Sequence, residues 1–210
     1  MTQTETRNPA KREQMLLAAR ALFLAQGYGR TSTDALARAA GVSKQTLYVY
    51  FPGKADLLAA VVARELDTLD GGQAPPLPQD RAGLRALLLA FARGVTGRLL
   101  DPDALALLRL LIGEAAHLPE LRPLLQEAVP LRLLGRVGAL LTAARARGLV
   151  QTPDPDLSAR MFVGPLMSYV LLDGLFGTAP PAPPPEATLA RLVDLCLLSL
   201  PEAPPGGDPT

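Results

Sequence analysis

The sequence predicts an all-α protein: an N-terminal three-helix head built around a helix-turn-helix, followed by a helical-bundle body, about nine helices in total. Three observations predict it. Aromatic residues make up only 4% of the 210 residues and β-branched runs are nearly absent, while Leu, Ala and Arg dominate, a composition that favours helix almost everywhere. Apolar residues recur at helical spacing between Gly and Pro punctuation. At 49% apolar and 20% charged, the chain is globular and long enough to bury a real core.

Each element follows from local signals. Met15, Ala19, Leu22 and Phe23 fall on one face of a first helix that stops at Gly27. Thr31, Ser32 and Thr33 offer N-cap oxygens for a short second helix to about Ala40, and Gly41 breaks it. Ser43 caps a third helix to about Tyr50, and Pro52-Gly53 turns the chain into a fourth, about 54–70. The stretch Gly71 to Asp80, with tandem prolines and a Gly pair, is a connector. Beyond it, helices are expected at about 81–99, 103–116, 120–147, 155–176 and 186–200. Pro130 and Gly164-Pro165 should kink or divide two of them, since a proline removes a backbone donor and clashes one turn back. The expected domains are a head over 1–54 and a body over 55–200, with helix four, about 54–70, connecting them. The tail 201–210 is expected to be disordered.

Several function classes fall away on composition. The longest uncharged stretch in a predicted helix, Met161 to Leu172, stops at Asp173, short of the about 20 apolar residues a bilayer span needs. The polar start MTQTETRNPAKREQ lacks the apolar core of a signal peptide, so a cytoplasmic protein is expected, without a membrane partner. One cysteine, Cys196, and one histidine, His117, make neither a disulfide framework nor a zinc site, and no cofactor or metal is expected. No phosphate-cradling glycine loop or plausible nucleophile and base pair points to an enzyme. Charge is uneven: residues 1–54 carry eight Lys or Arg against three acids, and the remainder thirteen against seventeen. A basic head on a mildly acidic body is the footprint of a nucleic-acid-binding module with another task attached.

The segment Thr33 to Tyr50, TDALARAAGVSKQTLYVY, meets the steric needs of two helices crossing steeply through a tight turn: Ala37 at the approach, Gly41 and Val42 in the turn, Leu47 as the anchor below. Its second helix would then show Ser43, Lys44, Gln45, Thr46, Tyr48 and Val49 outward, donor-rich side chains of the kind that read base edges and grip phosphates. Lys54 at the start of helix four opposes the helix dipole, a sign that nearby phosphate would reverse; with Thr33 at the start of helix two it would clamp the DNA backbone on either side of the reading helix.

Thr33, Ala37, Ala40-Gly41-Val42-Ser43, Thr46-Leu47-Tyr48, Tyr50-Phe51, Lys54 and Leu57, in this spacing, closely resemble the DNA-binding signature of the TetR family of transcriptional regulators. Ala18-Ala19, Leu22-Phe23 and Gly27-Tyr28 in the preceding helix fit as well, so the resemblance covers about residues 11–58. It implies a dimeric helical repressor whose heads bind a palindromic double-stranded operator and whose body binds a small effector. It also implies that Thr33, Tyr50 and Lys54 hold phosphates while Lys44, Gln45, Thr46 and Tyr48 lie at or near bases. Leu36 stands where isoleucine is commoner, and Asp34 is not a typical cationic contact and stays outside the expected site.

The stretches from Arg109 to Leu121 and from Ala143 to Asp156 look like bodies found in a subset of these regulators. By that resemblance the helices near 155–176 and 186–200 would pair with their copies in a four-helix dimer interface. Phe91, Met161, Phe162 and Tyr169 are the candidate lining of an apolar effector pocket, with core packing as the bland reading of each. Cys196 reads as a small buried hydrophobe. The alternative function is a helical small-molecule carrier or interaction module without specific DNA binding.

Overall fold

Asn8 begins the first helix by accepting from the amides of Ala10 and Lys11, and Pro9 follows at the first helical position, where a missing N–H costs nothing. The computed structural model describes residues 8–67, 77–126 and 130–202. Helix α1 (Pro9–Gln26) buries Met15, Leu16, Ala19 and Phe23. Leu16 takes the inward place that the spacing assigns to Leu22, which is only half-buried. Of the three candidate caps for α2 (Thr33–Ala39), Ser32 does the work, accepting from Ala35 at 3.1 Å.

The turn between α2 and α3 (Lys44–Tyr50) explains why glycine stands at 41. The Val42 amide reaches back to the Ala37 carbonyl and the Gly41 amide to that of Arg38, a paired closure of the helix end that needs a left-handed residue; Gly41 has φ +60°. Ser43 then caps α3 by accepting from Thr46 at 3.0 Å. Helix α4 (Lys54–Asp67) packs on α1, and α1 on α2. Met15, Leu16, Phe23, Leu36, Leu47, Phe51, Leu57 and Leu58 make the shared core, each worth roughly 1.5–3 kcal/mol when fully removed from water. Charges also bind α1 to α4: Arg64 reaches both Glu13 and the buried Glu65, and Glu65 also accepts from Arg20 at 3.0 Å. The hydrogen bond from Arg64 holds the Glu13 carboxyl below its usual range.

Among the described residues there is no strand, and two compact units emerge, one of residues 8–67 with 106–126 and one of 77–105 with 130–202. Helix α6 (Pro102–Ala115) contributes Leu107, Leu111 and Ala115 to the buried residues of the first unit. Where one helix is expected over 120–147, a 3₁₀ turn (Pro119–Leu121) runs into the short α7 (Arg122–Gln126), and a wide helical turn at residues 130–131 leads into α8 (Arg132–Ala146). Residues 127–129 lie outside the described residues, as do 68–76 of the connector and 203–210 of the tail.

The second unit packs α5 (Arg81–Leu99) against α9 (Pro155–Tyr169) and α10 (Glu186–Leu198), and α8 against α9. Leu84, Leu88, Ala92, Leu133, Val137, Leu141, Phe162, Leu166 and Val193 fill it. Helix α8 ends on Gly148, φ +71°, in the same paired closure as α2, with Leu149 reaching back to Ala144. Helix α9 passes through Pro165 without dividing; instead the helix widens one turn later, over Val170–Leu175, where the Phe176 amide bonds to the carbonyl five residues back at Leu171. In this turn the backbone at Gly174 comes so close to the end of α5 and the start of α6 that a Cβ there would lie 2.8 Å from Leu100 and 2.9 Å from Leu105. Arg81, Arg85 and Arg93 on α5 face the antiparallel α10: Arg81 donates to the carbonyls of Leu197 and Leu200, Arg85 pairs with both oxygens of Asp194, and Arg93 with Glu186.

Candidate nucleic-acid interface

Helix α3 is seven residues long, so packing alone must hold it, and Leu47, 3% exposed, is the anchor that docks it on the head core. With Leu47 inward, Ser43, Lys44, Gln45, Tyr48 and Val49 are exposed, and Thr46 and Tyr50 are half-buried. Tyr48 at 43% and Val49 at 54% put apolar surface on the same outer side as polar donors, the mixture that meets both thymine methyls and base edges.

The polar groups of that side are partly engaged already. The Ser43 and Thr46 hydroxyls lie 2.8 Å apart, and Ser43 is also the cap. The Tyr50 hydroxyl accepts the Asn8 amide at 3.0 Å, which ties the start of α1 to the end of α3 and leaves the phenolic hydrogen available to an anion. Arg12 covers the Phe51 ring from 5.6 Å. Thr33 is the first residue of α2, half-buried beside the cap Ser32.

Lys54 carries a different load from the one its position suggests. Its ammonium donates to the carbonyls of Tyr28 at 2.8 Å and Thr31 at 3.0 Å, and lies 4.1 Å from the Tyr28 ring centroid. These contacts within the chain offset the helix dipole, so no phosphate is needed to explain a cation there, and one of three ammonium donors is left for DNA. Its first effect is to hold the loop between α1 and α2.

Asp34, left out of the expected site, lies within it. The Lys44 ammonium is 3.0 Å from one oxygen of Asp34 and 3.1 Å from the other. The hydrogen bond and the charge of Asp34 hold Lys44 above the usual lysine range. The signal available in the sequence was two opposite charges at the first turns of consecutive short helices.

The four candidate pocket residues fall in two places. Phe162 is fully buried and packs its ring 6.0 Å from that of Phe91, over which the Arg136 guanidinium lies at 5.7 Å. Met161 and Tyr169 lie elsewhere, in an open groove of about 400 Å³ between α9 and α10 together with Pro165, Leu192, Leu195 and Cys196. The reason is helical rotation: successive residues on α9 point about 100° apart, so neighbours 161 and 162 serve different surfaces. Burial pushes the Cys196 thiol up to about 11, which keeps it protonated and unreactive at neutral pH. Among the described residues no helix is long and apolar enough to cross a membrane, and no group of three His, Cys, Asp or Glu could hold a metal ion.

Comparison with known proteins agrees with this geometry. Residues 15–61 match the sequence profile of bacterial regulatory proteins of the tetR family, and residues 86–197 that of the C-terminal domain of AefR-like transcriptional repressors. The chain is 39% identical over 84 residues to the HTH-type transcriptional activator FasR of Mycolicibacterium smegmatis, covering 39% of this chain and 38% of FasR. It is 40% identical over 67 residues to the HTH-type transcriptional repressor KstR of Rhodococcus jostii, covering 31% of this chain and 32% of KstR. The chain therefore spans less than two fifths of the length of these curated relatives. The solved flavonoid-responsive regulator FrrA shares the fold over 91% of this chain and 95% of its own, with a TM-score of 0.73 and 31% identity. These relatives are transcriptional regulators and not enzymes. With the C-terminal profile alone covering more than half of the 210 residues, and a reading helix exposed on an anchored head, the chain belongs to the TetR family of DNA-binding transcriptional regulators.

Proposed function

We propose that this regulator is a cytoplasmic repressor that binds a palindromic operator as a homodimer and is released by a small apolar effector. The observation that carries the DNA half of this reading is the outer side of α3, where Lys44, Gln45 and Tyr48 stand exposed on a helix anchored by buried Leu47. Lys44, Gln45, Thr46 and Tyr48 would meet bases, Ser43 would hold the start of the reading helix, and Thr33, Tyr50 and Lys54 would meet phosphates. Repression follows the AefR-like repressor profile of the body.

Homodimerisation is supported by apolar surface that a monomer has no use for. Leu157, Met161, Leu172, Phe176, Leu195 and Leu198 are between 55% and 77% exposed on α9, its widened end and α10. A second copy covering this face would bury the α9–α10 groove, and obligate interfaces of this kind commonly bury more than about 2,000 Å².

Selection of bound sequences from a random duplex library tests the DNA reading. The expected product is a palindrome with half-sites one helical turn, about 34 to 36 Å, apart. A Lys44→Ala, Tyr48→Ala double variant should bind it about thirtyfold to 10⁴-fold more weakly, at roughly 1–3 kcal/mol per base contact. No enriched sequence, and binding indifferent to the substitutions, would favour the carrier reading instead. The same operator then reports on the effector. FrrA is named for its response to flavonoids, so flavonoids and aliphatic acids make the first panel. A bound effector should change operator affinity by about 5- to 150-fold, the range of ordinary allosteric coupling. No change with any compound of the panel would overturn the apolar-effector assignment.

A further inference from the structure

The pair formed by Asp34 and Lys44 is hard to explain as a stabilising contact. Both side chains are largely solvated, at 61% and 48% exposed, and exposed pairs of this kind contribute little to stability. Its construction is nevertheless specific. The Lys44 ammonium straddles both carboxylate oxygens at 3.0 and 3.1 Å, across the turn that Gly41 and Ser43 shape. Asp34 sits in the first turn of α2, where the helix dipole favours an acid, and Lys44 begins α3, where the dipole disfavours a cation. Each charge thus sits where the acid can hold the base. Lys44 shares the exposed side of α3 with Gln45 and Tyr48, so the pair stands on the surface that would face DNA.

We propose that Asp34 is a specificity-determining residue: it holds the Lys44 ammonium and offsets its charge, so that the lysine is withheld from phosphates on arbitrary DNA while an N–H left over from the pair is directed at a base acceptor in the operator. The inference rests on the DNA-binding reading of α3. Non-specific affinity is set largely by how many cations neutralise phosphates, each contributing about 0.9 to the salt slope. A lysine already neutralised by a carboxylate adds nothing to that count. An ammonium has three donors, so Lys44 can give one to an acceptor such as the O6 or N7 of guanine while still held by Asp34, and the operator contact then breaks no pair, whereas following a phosphate path takes the ammonium off the carboxylate. Asp34 therefore lowers binding to wrong DNA more than to right DNA.

The test compares the full chain with Asp34→Asn, Lys44→Gln and the double variant, each titrated on the selected operator and on a scrambled duplex of equal length between about 50 and 200 mM salt. Asp34→Asn is expected to tighten scrambled-duplex binding about two- to fivefold, to steepen its salt slope by up to about 0.9, and to lower the ratio of operator to scrambled affinity by a similar factor. In the Lys44→Gln background the same substitution should change the slope and the ratio little. If the tightening persists there, Asp34 acts merely by repelling the duplex, and the proposal is overturned. An unchanged ratio and slope in Asp34→Asn would overturn it as well while leaving the DNA reading in place. A wild-type chain that does not distinguish the two duplexes would overturn the DNA reading, and the role of Asp34 with it.

Discussion

Aspartate at both Leu172 and Phe176 is expected to leave the chain folded but monomeric and to weaken operator binding by about 10³-fold or more, toward the non-specific level. The two side chains are 65% and 75% exposed, so the substitutions disturb no core. A charge there must be desolvated if a second copy is to cover the widened end of α9, and two copies bring four such charges to one apolar face. A monomer then reads one half-site and loses the contacts of the other. Sedimentation velocity gives the assembly state and an operator titration the affinity. A double variant that still sedimented as a dimer with full affinity would remove this face from the interface.

Phe162→Ala is expected to cost about 3–5 kcal/mol, a large part of the roughly 5–15 kcal/mol that holds a typical domain together. Phe162 has no exposed surface and its ring packs against Phe91, so truncation leaves a void that α5 and α9 cannot close without moving. At about 2–4 °C per kcal/mol for a chain of this size, melting should fall by roughly 6 to 20 °C. The result separates core from pocket. A side chain that lined an effector cavity would, on truncation, leave melting of the free protein nearly unchanged and alter the effector response instead. Met161→Ala, on the neighbouring but 55% exposed side chain, should shift the melting of the monomeric Leu172→Asp, Phe176→Asp chain far less.

The head was legible because its signals are local. Ser32 and Ser43 as caps, Gly41 as the left-handed closure and Leu47 as the anchor each follow from chemistry within one turn of the residue concerned. What local signals could not show depended on partners far along the chain. Nothing in the neighbourhood of Lys54 reveals that the carbonyls of Tyr28 and Thr31 reach it, so its load within the chain was hidden beside the phosphate contact expected of it. Asp34 looked out of place until Lys44, ten residues on, was brought against it. Bulk and apolarity identify the pocket candidates Met161 and Phe162 equally, and only the packing of α9 between α5, α8 and α10 decides which turns inward. Pro165 shows the same limit from the backbone side, since the helix absorbs the proline and takes up the disturbance in a wider turn beyond it.

The arginines of α5 have a consequence for how α10 is placed along its length. A core of leucines tolerates sliding, because a shift of one turn, about 5.4 Å, replaces one aliphatic contact by another. The acids opposite Arg85 and Arg93 are only Asp194 and Glu186, eight residues or about two turns apart. A slip of four residues in one direction would set Leu198 and Ala190 against those guanidinium groups, and in the other Ala190 and Ala182. Either breaks both pairs at once and strips Arg81 of the carbonyls of Leu197 and Leu200. The ladder thus works as a ratchet that admits one register of α10. Since Leu195 and Leu198 ride on that helix, the same ratchet fixes which aliphatic side chains a second copy of the chain would encounter, so the accuracy of the outer face is set by charges on its inner neighbour.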